Sequence, residues 1–267
     1  MALYQVILAY DGTNFQGFQR QGSSRTVQAA VEEALRHLGW SGRAILYAGR
    51  TDTGVHASGQ VIAFDLEWAH SPAELGKAIN AALPGDVAVT NIRETAKEFH
   101  PRYHALARQY HYRLYCQDQR DPLRERYQWR IWPRPEGDLL HQAADCLTGS
   151  HDFASFGSPL KPGGSTLRTV FRAKWVQETE GGWSFRIVAN AFLYRMVRRL
   201  VFLQVLVGQR RLKLETFAAA LQYPQPLTPG LAKPHGLALE RVFYAEEGLE
   251  PEGLLITLSA SGEEDCG

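Results

Sequence analysis

Arg50 and Asp52 stand two residues apart in the polar run Gly49-Arg50-Thr51-Asp52-Thr53-Gly54-Val55-His56-Ala57. A carboxylate beside a guanidinium is held ionised, and an ionised carboxylate facing a cleft can act as a nucleophile. The same R-x-D pattern also suits a plain Asx-turn with a surface cation, and the pair alone does not choose between the two. A second candidate is the stretch Ala107-Arg108-Gln109-Tyr110-His111-Tyr112. On a strand its two tyrosines share one face, either as a stacking surface for a base or as cross-strand core aromatics. The nine histidines show no H-x-x-x-H or H-E-x-x-H spacing, so no metal is expected. Ser23, Ser24, Ser155 and Ser158 lack the G-x-S-x-G setting of a hydrolase nucleophile.

The elements around these residues can be read from pattern. Leu3 to Tyr10 has the composition of a strand, and the glycine-rich loop from Asp11 to Ser24 follows it. In that loop Phe15 and Phe18 alternate with amides and Arg20, which suits either RNA contact or simple packing. Thr26 caps a helix with apolar positions Val27, Ala30, Val31, Ala34, Leu35 and Leu38, and Gly39 ends it. Strands from Arg43 to Ala48 and from Gln60 to Leu66 flank the polar run. Ser71-Pro72-Ala73-Glu74 is a capping box opening a helix that stops at Pro84-Gly85, and Asp86 to Ile92 is a further strand.

This β-α-β-β-α-β order is the split-βαβ arrangement. The second half reads similarly, with strands at 108–116, 167–178, 183–190 and 236–244 and helices at 136–147, 192–207 and 213–222. A proline-rich loop from Tyr223 to Pro234 precedes the last strand. The expected division is 1–106 and 107–267.

Composition narrows the class. The chain has 267 residues, is 45% hydrophobic and carries a net charge of +1, ample for a packed core. The charge is uneven. Nine Lys/Arg face four acids between Lys97 and Arg134, six basic residues and no acid lie between Arg195 and Lys213, and acids gather at Glu246, Glu247, Glu250, Glu252, Glu263, Glu264 and Asp265. Such segregation fits a polyanion-binding face or solvated helix faces. Cys116, Cys146 and Cys266 have no framework or zinc spacing, which suits a reducing compartment. The N-terminus lacks a cationic signal region and no apolar run approaches the ~20 residues of a membrane span, so a soluble cytoplasmic protein is expected.

The GRTDTGVHA run followed by Gly59-Gln60-Val61 resembles the signature of the tRNA pseudouridine synthase A family. The likeness extends from Tyr10-Asp11-Gly12 and Phe15-Gln16-Gly17-Phe18-Gln19 to Lys233-Pro234-His235-Gly236-Leu237. It implies an α+β fold: two ferredoxin-like (β-α-β-β-α-β) halves forming one continuous, mainly antiparallel sheet with a central catalytic cleft. It further implies an isomerase that converts uridine to pseudouridine at positions 38, 39 and 40 of the tRNA anticodon arm, working as a homodimer without a cofactor.

Residue by residue, the resemblance makes Asp52 the nucleophile and gives Arg50 a part in flipping the base. Tyr110, first tyrosine of an A-R-x-Y-x-Y segment, would stack on the target base. Arg198, in a Met196-Val197-Arg198 stretch, would pair with the aspartate, and Leu237 would form an apolar pocket wall. Arg195 and Arg199 match nothing and default to surface or phosphate contacts. Pro101 departs from the alanine of the family's F-H-A-R, and Lys233 and His235 depart from its P-A-x-G-L. The alternative is a non-catalytic RNA-binding protein with two RRM-like domains, although no R-G-F-G-F-V-x-F-like stretch is present.

Overall fold

The computed structural model describes residues 1–245; the acidic residues from Glu246 onward and Cys266 lie outside them. The chain divides into a first unit, Met1–Ala105 with Ala238–Phe243, and a second built mainly of Leu106–Leu237.

In the first unit β1 (Ala2–Tyr10), α1 (Val27–His37), β2 (Leu46–Tyr47), β3 (His56–Leu66), α2 (Pro72–Ala82) and β4 (Val87–Thr95) follow the expected order. β1 pairs antiparallel with both β3 and β4, and β2 pairs antiparallel with β3, giving the strand order β4-β1-β3-β2. The Ala238–Phe243 part of β10 (Leu237–Tyr244) joins parallel to β3, with Ala238 opposite His56 and Leu239 opposite Ala57. The helices begin where the caps were read: the Thr26 hydroxyl accepts from Ala29 N, and Ser71 and Glu74 complete the capping box. β2 is shorter than the expected Arg43–Ala48 strand. Its upstream end leaves the ladder because Ile45 N donates to the buried Glu32 carboxylate instead, at 3.3 Å. β3 in turn starts earlier than Gln60, since Ala57 already pairs with Tyr10.

In the second unit β5 (Ala105–Cys116), β9 (Trp183–Ala189), β8 (Leu167–Gln177) and β7 (Gly149–Asp152) pair antiparallel in that spatial order, and β6 (Trp129–Ile131) adds parallel to β5. β6 and β7 span three and four residues, too short to leave an alternating signature in sequence. α3 (Gly137–Asp145), α4 (Met196–Gly208) and α5 (Leu214–Gln222) complete the unit and pack against one another, with α4 apolar around most of its circumference, as a helix buried on most sides must be. The class is therefore α+β with mostly antiparallel strand pairing.

α4 starts four residues later than the expected Phe192. Tyr194 is held in a bridge with Ser158, and Arg195 takes a left-handed conformation, so the helix can begin only at Met196. Inside the unit the fully buried Trp175 indole donates to Gln204 Oε1 at 2.9 Å, tying β8 to α4. Replacing Gln204 by Leu strands that indole N–H away from water, and an unsatisfied buried donor costs about 1–3 kcal/mol. Gln204→Leu should therefore lower the urea midpoint without changing the slope of the unfolding curve; an unchanged midpoint would show that the bond contributes nothing.

Candidate active site

The Gly49–Ala57 loop is fixed by backbone groups of the loop after β1 and by side chains of β1 and β3. Phe18 N donates to Thr51 O at 3.1 Å, Gly54 N to Phe15 O at 3.3 Å, and Gly12 N to His56 Nδ1 at 3.0 Å. The Tyr10 hydroxyl lies 2.8 Å from Thr51 Oγ1, and Gln60 Nε2 donates to Gly49 O at 2.8 Å. Each such bond contributes on the order of 1 kcal/mol net; together they leave the loop little freedom. Thr51 is buried on one side of Asp52, while Asp52 itself is half-buried and Arg50 exposed. Arg50 Nε reaches the Tyr47 hydroxyl at 3.3 Å, and the Tyr47 ring packs against Phe18 with centroids 4.9 Å apart.

Two glycines permit this contact. A Cβ on Gly12 would lie 2.0 Å from Val55 O, and Gly17 has φ +87 with its missing Cβ 3.0 Å from Thr51 O. Phe15 and Phe18 are 1% and 0% exposed, which resolves their role as packing. Arg20 belongs to the scaffold too, its Nη1 lying 2.7 Å from the fully buried Glu32 carboxylate. Gly12→Ala cannot be absorbed without displacing the Val55 carbonyl, and overpacking costs typically about 1–3 kcal/mol. The variant should lose that much stability in thermal or urea unfolding together with most activity; parent-like values in both assays would show that the loops can separate harmlessly.

Tyr110, Arg198 and Leu237 lie in the second unit. Tyr110 is half-buried on β5, its ring edge-to-face with Phe192 at 5.0 Å and 87°. Tyr112 points to the same face but is fully buried, and its hydroxyl donates to Lys233 O at 2.6 Å. Burial pushes its phenol well above the ordinary value, with the Arg198 charge pulling the other way. Tyr112 is thus the anchor and Tyr110 the accessible ring. Gly236 crosses Tyr112 so closely that a Cβ would lie 2.7 Å from the ring. Arg198 Nε donates to Ala232 O at 2.9 Å, and Ala232 N returns a bond to Arg198 O at 3.1 Å. Leu237, 5% exposed, follows directly.

Arg199 is not a phosphate contact by default. Its guanidinium donates to the carbonyls of Leu227, Thr228 and Gly230, and burial lowers its pKa. Much of the remaining basic charge is also consumed internally. Arg120 pairs with Glu125 at 2.6 Å, Arg210 with Glu136 at 2.5 Å, and Arg130 Nη1 donates to Asp118 O at 2.7 Å.

Gln60 is a supporting residue to which the sequence reading assigned no role, and Tyr112 one whose role it left open. For Gln60 a signal was present, an amide directly before the apolar stretch Val61 to Phe64. For Tyr112 the pattern left core and pocket equally open.

Over this geometry, a family model described as tRNA pseudouridine synthase matches residues 6–104 and 143–245, and so takes in the polar loop, Arg198 and Leu237. The chain belongs to the tRNA pseudouridine synthase family. Relatives named tRNA pseudouridine synthase A agree over most of the chain. That of Pseudothermotoga lettingae is 37% identical, covering 91% of this chain and 100% of its own. That of Geobacillus kaustophilus is 38% identical, covering 91% and 95%. That of Neisseria meningitidis serogroup B is 39% identical, covering 91% and 92%. As a tRNA pseudouridine synthase the chain is an isomerase.

The buried Tyr112 phenol yields a pH prediction. Burial holds its folded pKa well above the ordinary phenol value of about 10, so its contribution to stability is complete below about pH 10 and is lost as pH rises through the folded value. Tyr112→Phe should be less stable at neutral pH, where the Lys233 carbonyl loses its donor, yet its stability should fall less steeply above pH 10. Parallel alkaline unfolding curves for the two proteins would contradict this.

Proposed function

We propose that this synthase isomerises uridine at positions 38, 39 and 40 of the tRNA anticodon arm, with Asp52 as the nucleophile. The observation that carries the reading is the loop: Thr51 is held through both its carbonyl and its hydroxyl, so Asp52 beside it sits half-exposed on a backbone anchored from a second loop. Such preorganisation suits a group that must attack in one geometry.

The reaction breaks the N1–C1′ bond, turns the base and rejoins it through C5, which then gives up its proton; no redox partner is required. The base must leave its stack first. Tyr110 supplies a ring for the flipped base, steadied at its edge by Phe192, and stacking of this kind is worth roughly 1–3 kcal/mol per base. Arg50, exposed beside Asp52, assists flipping. Arg198 pairs with the carboxylate, and Leu237 provides the apolar wall. The protein works in the cytoplasm as a homodimer on the anticodon arm.

tRNA carrying tritium on uridine C5 tests the assignment. The parent enzyme should release the label, whereas Asp52→Asn should retain tRNA binding and release none; turnover within tenfold of the parent would remove Asp52 from the nucleophile's role. For Tyr110, binding of tRNA with a non-isomerisable uridine analogue should be weaker in Tyr110→Ala than in Tyr110→Phe by about 1–3 kcal/mol. Equal affinities would assign the ring to the strand's packing alone.

A further inference from the structure

Two non-glycine residues among those described have positive φ, Arg195 at 61 and Arg210 at 56. The left-handed conformation costs an L-residue roughly 1–2 kcal/mol that glycine does not incur. For Arg210 the reason is visible, because its guanidinium grips the Glu136 carboxylate with two hydrogen bonds.

The Arg195 side chain has no such partner. Its carbonyl accepts from Arg199 N at 3.0 Å, but its guanidinium forms no hydrogen bond or ion pair among the described residues; exposed, it lies 4.7 Å from the centroid of the Tyr194 ring, which is itself 45% exposed. The backbone beneath is rigid. Tyr194 N donates to Ser158 O at 2.9 Å and Ser158 N to Tyr194 O at 3.4 Å. Gly157 packs so tightly under the turn that a Cβ there would lie 2.9 Å from Tyr194 O. A glycine at 195 would make the same turn without strain, so the arginine's side chain is what the position gains.

We propose that Tyr194 and Arg195 form a docking point for one backbone phosphate of the RNA substrate. The Tyr194 ring holds the guanidinium in place through a cation–π contact, and Arg195 meets the phosphodiester with its fork of donors. The neighbouring Arg199 is unsuited to this, since its charge is turned inward onto the 227–230 carbonyls. The proposal rests on the reading of the chain as a synthase that binds tRNA, and it gives the pair a part in binding and none in chemistry.

The decisive variant is Arg195→Gly, which keeps the turn and removes the charge. Its thermal midpoint should equal or exceed the parent's, while KM for tRNA rises about threefold to tenfold at moderate salt and kcat is unchanged. The log-log dependence of tRNA affinity on salt should flatten by about 0.7–0.9, the contribution of one phosphate. Arg195→Lys should recover most of the salt slope but only part of the affinity, and Tyr194→Leu should weaken binding without changing the slope. An unchanged KM and slope in Arg195→Gly, or a loss confined to kcat, would overturn the proposal. Asp52→Asn, measured in parallel, should lose kcat and keep the parental slope. If it stays active, the nucleophile assignment fails while the docking result stands.

Discussion

The crossing of Gly12 against the Val55 carbonyl, too close for any Cβ, governs how the residues near Asp52 are arranged. Two loops that lack regular structure must satisfy their backbone groups or leave them to water. Here they satisfy each other, and they can do so only because one of them has no side chain at the crossing. Phe15 and Phe18 then fill the space under the crossing, and Tyr10 and Gln60 add polar ties from the adjoining strands. The half-exposed carboxylate is held in place through Thr51 beside it, which is buried and bonded through both its carbonyl and its hydroxyl.

The second unit solves a comparable problem with side chains. The irregular segment between α5 and β10 has few backbone partners of its own, and Tyr112, Arg198 and Arg199 supply them from β5 and α4. Arg198, read as the aspartate's partner, and Arg199, read as a surface or phosphate contact, are thereby also cross-braces for a loop. A guanidinium with five donors suits this work, because it can bind several carbonyls at once.

Much of the architecture was legible because its signals are local. The Thr26 cap, the Ser71-Glu74 box and the apolar spacing of α1 mark their helix from within a few residues. The polar run around Asp52 was legible for another reason, since its residue types fit a nucleophile and its wording fits a family. What could not be read depends on distant partners. Nothing adjacent to Ile45 shows that its amide turns to Glu32 and shortens β2. Nothing near Phe192 shows that Ser158 will hold Tyr194 and delay α4. The fate of Arg199 likewise depends on carbonyls about thirty positions downstream. Charge in sequence reports how many cations there are, and only packing reports how many remain available to a ligand.

The parallel strand beside β3 has a consequence for the order in which the molecule is made. Gly59 lies so close to Glu240 that a Cβ would be 2.2 Å from its carbonyl oxygen, and His56 and Ala57 pair with Ala238 and Leu239. These neighbours leave the ribosome some 180 residues after the strand they complete. A nascent chain can assemble β1, β3, β4 and both helices early, but the strand that begins inside the Asp52 loop lacks its parallel neighbour until some 180 further residues have been made. The topology thus delays completion of the reactive loop's support until the second unit's strands and helices have been synthesised.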